Sequence, residues 1–153
     1  MSKLQFSYTI RSFISVAPLM LLAVSLSAVR ATAQAQLYKP IPLSVGNPIK
    51  DTLSEKDIPT GQRGFARDYI VKLSTGDQVM VALSSDSFDT FVSLIAADGS
   101  VVEENDDGPD GGTNSLLVSK ITRTDDYIIR VRASGETKAK GSFTLKVTRQ
   151  RSE

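Results

Sequence analysis

The sequence predicts an all-β protein, an antiparallel β-sandwich of the jelly-roll type with about eight strands. Apolar and polar residues alternate with a period of two in several short segments, which is typical of half-buried strands. These segments recur at spacings of about 8 to 15 residues and are separated by turns rich in Gly, Asp and Ser. No comparably convincing helical period is present after residue 45, so a sandwich is favoured over a mixed fold.

The first 35 residues have the layout of a secretory signal peptide. Lys3 and Arg11 precede an apolar stretch at residues 13–29, and small residues follow it. Cleavage is expected after Ala35 or Ala33. An uncleaved membrane anchor is the alternative, although the stretch contains a proline and is short for a bilayer. We therefore expect a secreted or periplasmic protein with no integral membrane segment after cleavage.

The mature chain begins with an irregular part. Residues 36–45 are expected to form an extended lead-in, because they contain two prolines and little periodicity. The folded domain is expected to span residues 46–150. Its first strand is predicted at residues 48–53, and a loop with a proline and a glycine is predicted at residues 57–63.

Two strands are predicted around the turn at residues 74–77. In residues 65–73 the apolar Tyr69, Val71 and Leu73 alternate with their neighbours, and residues 78–83 alternate in the same way. Because the connection is short and contains Gly and Asp, the two strands are predicted to pair as a hairpin.

Further strands follow to the end of the chain. The segment at residues 88–96 is the most continuously apolar of them, and it is expected to lie centrally in its sheet. These strands are predicted at residues 88–96, 101–102, 116–121, 127–133 and 143–147. Aromatic residues on the strands are expected to fill the core rather than to stack on a ligand. They are Tyr69, Phe91, Tyr127 and Phe143.

The composition argues against an enzyme. The chain has no Cys, His or Trp, which excludes Ser-His-Asp and Cys-His catalysis and the usual zinc sites. Paired carboxylates could serve a glycosidase, but no apolar pocket that would raise one pKa is apparent. Nothing in the sequence indicates nucleic-acid binding. We expect no catalytic activity.

The charges are unevenly distributed. Residues 73–119 contain nine carboxylates and no Lys or Arg, whereas the C-terminal third is basic. Without residues 1–35 the net charge would change from +1 to about −2. The two regions could neutralise each other when strands pair, or the basic region could form a patch for an anionic partner.

The acidic run at residues 103–115 is the best candidate site. Calcium prefers six to eight oxygen ligands, which Asp and Asn on turning loops can supply. The EF-hand pattern fails, so a calcium site would pool ligands from two loops. The candidate ligands are Asp86, Asp89, Asn105, Asp106, Asp107, Asp110 and Asn114. The alternative is a solvated turn in which Asp and Asn cap backbone groups.

Six segments of the chain occur in an order and spacing that resemble the bacterial pre-peptidase C-terminal domain. Together they cover about residues 46–148. They are DYIVKL (68–73), TGDQVMVAL (75–83), SFDTFVSLIAADGSVVEENDDG (87–108), TNSLLV (113–118), DYIIRVRAS (126–134) and GSFTLKV (141–147). Asp125 stands where the family commonly has Gly.

The resemblance implies a non-catalytic jelly-roll sandwich of the kind appended to secreted peptidases, and implicated in substrate binding, targeting or calcium-dependent stabilisation. Here we expect a stand-alone copy. The expected function is that of a secreted, non-catalytic binding or accessory module that contacts an extracellular polymer or surface. Ca²⁺ is the cofactor that would stabilise it. The alternative is a structural or chaperone-like partner, acting in trans, of a separately encoded exported hydrolase.

Overall fold

A computed structural model describes residues 38–61, 64–109, 111–135 and 139–151. The predicted signal peptide lies outside these residues. Within them the regular structure is entirely β-strand, and no helix is long and apolar enough to cross a membrane. The strands are β1 (Ile41–Pro42), β2 (Ile49–Leu53), β3 (Ile58–Pro59), β4 (Phe65–Leu73), β5 (Asp77–Ser84), β6 (Thr90–Ile95), β7 (Val101–Asn105), β8 (Ser115–Lys120), β9 (Asp125–Ala133) and β10 (Gly141–Arg151).

The strands form two sheets that confirm the predicted sandwich. Sheet A has the order β1-β4-β9-β6-β7, with β3 also paired to β4, and sheet B has the order β2-β10-β5-β8. Without the two-residue strands β1 and β3, the long strands follow the orders 2-7-4-5 and 1-8-3-6. This interleaving of two four-stranded sheets is the jelly-roll connectivity. Among the described strands, only β1 with β4 pairs in parallel.

The predicted hairpin of β4 and β5 is wrong. β4 pairs with β9 in sheet A, whereas β5 pairs with β10 and β8 in sheet B. Both strands bury alternate residues in the same core, but they do so from opposite sides. The turn between them is a crossing between sheets, and its Gly76 donates its N–H to the carbonyl oxygen of Ile121 (2.9 Å). A short Gly-containing turn therefore serves a sheet crossing as well as a hairpin.

Asp77 holds this turn together from a fully buried position. Its Oδ2 accepts the N–H of Ser74 (2.9 Å), and its carboxylate forms ion pairs with Arg149 (3.6 Å) and Arg151 (3.4 Å). The Ser74 N–H is the main cause that lowers the pKa of Asp77 below its ordinary value of 3.8. The two arginines add to this effect, and burial opposes it.

This pKa gives the stability a defined pH dependence. Because the folded pKa lies below the unfolded one, the ionised Asp77 stabilises the fold above about pH 4, and the contribution is lost as the pH falls through the folded pKa. We expect Asp77→Asn to lower the melting temperature at pH 7, and we expect its difference from the wild type to narrow as the pH falls below about 4. Thermal melts across this range measure the effect, with Asp89→Asn, an exposed carboxylate, as the control. A difference that stays constant with pH would contradict the assignment.

Strand β7 is longer than predicted. It was expected to end at residue 102, but it continues to Asn105 and so takes up the first part of the acidic run. It pairs with β6, with Glu103 opposite Leu94 and Asn105 opposite Val92, and a register shift follows Leu94. Because β7 lies at the edge of sheet A and its residues are mostly exposed, no apolar alternation marks it in the sequence.

The core lies between the two sheets and draws on every long strand except β7. Tyr69 and Phe143 meet edge to face with ring centroids 6.4 Å apart, and Phe88 meets Phe143 at the same distance. The prediction of core burial is confirmed for Tyr69, Tyr127 and Phe143.

The prediction is wrong for Phe91, which is half-buried on the outer face of sheet A. The Arg132 guanidinium lies 3.5 Å from the Phe91 ring centroid in a cation–π contact. Desolvation there lowers the pKa of Arg132, against the opposing charges of Glu104 and Asp106. Phe91 therefore serves as a platform for an arginine rather than as a core filler.

Candidate functional site

Two acidic loops meet at one end of the sandwich. The loop before β6 (residues 85–89) carries Asp86 and Asp89, and the loop between β7 and β8 (residues 106–114) carries the rest of the acidic run. The backbone N–H of Ser85 donates to Asn114 Oδ1 (3.2 Å), which joins the two loops. The structure thus brings together the two loops that carry the predicted ligands other than Asn105, which ends β7.

A buried hydroxyl cluster anchors the longer loop. Thr90 donates its backbone N–H to the Thr113 carbonyl oxygen (2.9 Å), and its Oγ1 lies 2.7 Å from Ser115 Oγ. Ser115 Oγ also donates to the carbonyl oxygen of Asp106 (3.3 Å). Thr90 and Ser115 are 0% and 3% exposed, so their hydroxyls require internal partners. Sequence reasoning missed this cluster, because a Ser or Thr at a strand end carries no sign of burial.

The acidic side chains themselves point mostly to solvent. Asp86, Asp89, Asp106, Asp107 and Asn114 are exposed. Asp110 lies outside the described residues. Among the described acidic side chains, no three come close enough together to hold a metal ion. The backbone of the loop closes on itself through the Gly111 N–H and the Gly108 carbonyl oxygen (3.0 Å).

Asn105, the remaining predicted ligand, differs from the others. Its Oδ1 is buried and, among the described residues, is the one buried side-chain polar atom without a hydrogen-bond partner. A buried carbonyl oxygen without a partner is costly, so a cation or a water molecule at this position would stabilise it. This oxygen is of the type that calcium binds. The described carboxylates, however, lie too far apart to surround an ion in these positions.

The basic residues of the C-terminal third are largely neutralised by acids outside the acidic run. Their ion pairs are Arg130 with Asp68, Arg149 and Arg151 with Asp77, Arg123 with Asp98 and Asp125, and Lys140 with Glu55. In the described part of the chain the acidic loops form no ion pair. The charge asymmetry of the sequence is therefore only partly cancelled by folding.

An open groove of about 370 Å³ runs beside the acidic end on the outer face of sheet B. Cross-strand neighbours of β2, β10 and β5 form it, with Thr144 opposite both Lys50 and Ser84, and Ser142 opposite Thr52. Its lining residues are Lys50, Asp51, Thr52, Ser84, Ser85, Asp86, Ser142, Phe143 and Thr144. This groove was not predicted from the sequence. Of its lining residues, only Asp86 and Phe143 were singled out there, and for other roles.

The groove offers hydroxyl groups and charged side chains. The serine and threonine hydroxyls have no histidine to activate them, since the chain contains none. The Asp51 carboxylate is occupied by the Arg67 guanidinium and by the Tyr69 hydroxyl (2.8 Å). Burial, with the neighbouring Asp51, raises the pKa of Tyr69 well above its usual range, so this hydroxyl stays protonated. The groove can donate and accept hydrogen bonds and can attract charge at Lys50 and Asp86.

Comparison with solved structures supports the fold. The chain is similar to the pre-peptidase C-terminal domain of a collagenase from Bacillus anthracis, with a TM-score of 0.54 and 10% identity over 72% of this chain and 95% of that one. It is also similar to Aeromonas hydrophila PliG, a periplasmic lysozyme inhibitor of g-type lysozyme. There the TM-score is 0.54 and the identity 13%, over 73% of this chain and 96% of that one.

No family model and no curated protein matches the sequence. The likeness is therefore one of three-dimensional structure. The chain has the fold of the pre-peptidase C-terminal domain, as its sequence motifs predicted, and it shares that fold with a lysozyme inhibitor.

Proposed function

We propose that the protein is an exported, non-catalytic binding module that contacts an extracellular polymer or surface through the groove on sheet B. The observation that carries the proposal is the cluster of hydroxyl side chains in an open groove. The similarity of the fold to an accessory domain of a collagenase supports a binding role. The signal-like sequence at residues 1–35 supports export.

The groove suits a hydrated chain of repeating polar units. Thr52, Ser84, Ser142 and Thr144 present hydroxyls that can replace the water around a polysaccharide or a polar peptide stem. Its position across three neighbouring strands leaves it open at the surface, so a long polymer could lie along it without an end having to enter. Lys50 adds a positive charge for carboxylate groups on such a polymer.

Blocking the groove tests this function. Thr144→Arg fills the middle of the groove with a long side chain, and we expect it to reduce retention on the bound polymer at least about tenfold. Thr148→Arg adds the same side chain to the same outward-facing row of β10, away from the groove, and is expected to bind like the wild type. Retention of the purified proteins on insoluble peptidoglycan, cellulose and chitin gives the measurement.

Failure of all three matrices to retain the wild-type protein would count against a polysaccharide. Equal retention of wild type and Thr144→Arg would show that binding, if present, occurs elsewhere.

The second candidate function is a partner of an exported hydrolase. It is favoured by the structural similarity to a periplasmic inhibitor of g-type lysozyme. In this case the exported protein would form a stoichiometric complex with one enzyme rather than bind a matrix. Lysis of bacterial cell walls by a g-type lysozyme, measured with and without the protein, tests the inhibitory form of this function. Unchanged lysis at excess protein would argue against that form.

We propose calcium binding at the acidic end as a stabilising feature of the module. Asn105 Oδ1 would be one ligand, and the exposed carboxylates of Asp106 and Asp107 could turn toward the ion. We expect calcium at about 10 mM to raise the melting temperature by a few degrees, because extracellular sites often bind at about 10⁻⁴ to 10⁻³ M. Thermal melts in calcium and in chelator measure this shift.

Asn105→Ala is expected to abolish the shift, while Asp98→Asn, at the opposite end of the sandwich, should keep it. An identical melting temperature in calcium and in chelator would exclude a stabilising calcium site.

A further inference from the structure

The described sheets end in five edge strands, because β1 and β3 both lie beside β4, and four of the five carry features that oppose pairing with another chain. Such features include prolines, charges, bulges and short length. β1 has two residues, one of them Pro42. β3 has two residues, one of them Pro59. β2 carries Lys50 and Asp51. β7 carries two glutamates and a register shift. By contrast β8 has the sequence SLLVSK, with no proline, no acid and a single charge at its end.

The outer side of β8 presents free backbone groups. Directly after β8, the N–H of Ile121 donates to the Asp77 carbonyl oxygen (2.8 Å). In the same register, the backbone N–H and C=O groups of the odd-numbered residues of β8 point toward β5. The N–H of Leu116 points the other way, to the carbonyl oxygen of Asp107 (3.3 Å). Since these groups alternate along a strand, the N–H and C=O groups of Val118 and Lys120 point away from the sheet. No backbone partner for them lies within the described residues.

An apolar patch with a basic rim lies beside this edge. Met80 and Val118 are direct cross-strand neighbours and are 43% and 44% exposed. Lys120 and Lys146 lie on the same outer face, and neither forms an ion pair within the described part of the chain. The outward-facing residues of the four strands of sheet B include no carboxylate. An apolar centre with a polar rim is the usual layout of a protein interface.

We propose that β8 is a docking edge that adds an extended segment of another protein as a further antiparallel strand. The segment would pair with the free groups of Val118 and Lys120 by β-augmentation. Its side chains on the outer face would be apolar over Met80 and Val118 and acidic beside the lysines. This surface is separate from the groove and does not depend on polymer binding.

Charge favours an acidic segment over a second copy of this chain. Pairing of two β8 strands would join two sheets whose outward-facing strand residues include Lys50, Lys120 and Lys146 and no carboxylate. The strands of the joined face would carry like charges only. An acidic partner strand would neutralise Lys120 and Lys146 instead.

A labelled peptide tests the edge directly. The probe is a fluorescein-labelled nine-residue peptide of sequence VTETVTETV, in which every second residue lies on one face of a strand, so that valine and glutamate share that face. The matched probe has lysine in place of glutamate. Fluorescence anisotropy should show saturable binding of the glutamate peptide, at least about tenfold tighter than the lysine peptide. Val118→Pro removes the free N–H without breaking a ladder bond to β5, and should weaken binding at least about tenfold. Val118→Thr keeps the N–H and should bind within about threefold of the wild type.

Circular dichroism and thermal melts check that Val118→Pro is folded. If it is not, Lys120→Glu provides the test, with an expected loss of at least about fivefold for the glutamate peptide. Equal binding by wild type and a folded Val118→Pro would overturn the proposal. A wild-type dimer in size-exclusion chromatography that Val118→Pro converts to a monomer would overturn it too, because a second copy would then occupy the edge. Thr144→Arg should leave peptide binding unchanged, which separates this surface from the groove.

Discussion

Arg130→Ala is expected to lower the free energy of unfolding by about 3 kcal/mol, because it removes two charge-assisted hydrogen bonds to a buried carboxylate. Arg130 donates hydrogen bonds from Nε and Nη2 to the two carboxylate oxygens of Asp68, and each donor–acceptor distance is 2.8 Å. The Asp68 side chain is 1% exposed, whereas that of Arg130 is 35% exposed. Removing the arginine is therefore expected to cost more than an exposed ion pair would. Urea unfolding of the two proteins gives the difference.

An exposed ion pair of the same protein provides the control. Arg123 pairs with Asp98 at 3.5 Å, and both side chains are 57% exposed. Arg123→Ala should change the unfolding free energy by less than about 0.5 kcal/mol. The double variant Asp68→Leu/Arg130→Met, which replaces the pair with apolar side chains, should recover most of the loss. A loss below about 1 kcal/mol for Arg130→Ala would contradict the buried-carboxylate argument.

Gly141→Ala is expected to cost about 2 to 4 kcal/mol, from backbone strain together with a steric clash. Gly141 has a φ of +147°, and a Cβ atom there would lie 2.3 Å from the Cβ of Ser87. Gly141 opens β10 opposite Leu53 and packs against the loop that carries Asp86 and Asp89. The substitution would push this loop away from the sheet or distort the first residue of β10. Chemical unfolding measures the cost.

Two variants separate strain from clash. Gly112→Ala places a methyl group where no atom lies within 4 Å and is expected to have little effect. The double variant Ser87→Gly/Gly141→Ala removes the clash and should recover only the steric part of the loss. If Gly141→Ala were as stable as the wild type, the close approach of Gly141 and Ser87 would be refuted.

The sandwich could be predicted from the sequence because the alternation of apolar and polar residues is visible within each strand taken alone. Tyr69, Val71 and Leu73 face the core as their spacing indicates, and Arg130 and Arg132 face outward between buried residues of β9. The partner of a strand is harder to predict, since pairing depends on distant residues. The hairpin prediction for β4 and β5 failed for this reason, because a short turn containing Gly and Asp can also cross between sheets.

The candidate site was predicted only in part. The approach of the loops before β6 and after β7 was expected, and the contact between Ser85 and Asn114 joins them. The anchoring hydroxyls of Thr90 and Ser115 were missed, because small polar residues look alike whether buried or exposed. The groove was missed as well, since its lining residues come from strands far apart in the sequence and gather only when β2, β10 and β5 pair.

The groove on sheet B is proposed as the contact surface of a binding module, and this is the central claim. Nuclear magnetic resonance titration of the purified protein with soluble fragments of the polymer that retains it tests this claim most directly. We expect the largest amide shift changes at Ser84, Ser142 and Thr144, with little change at the opposite end near Asp98. Shift changes that leave these three residues unaffected and lie elsewhere on the surface would contradict the claim.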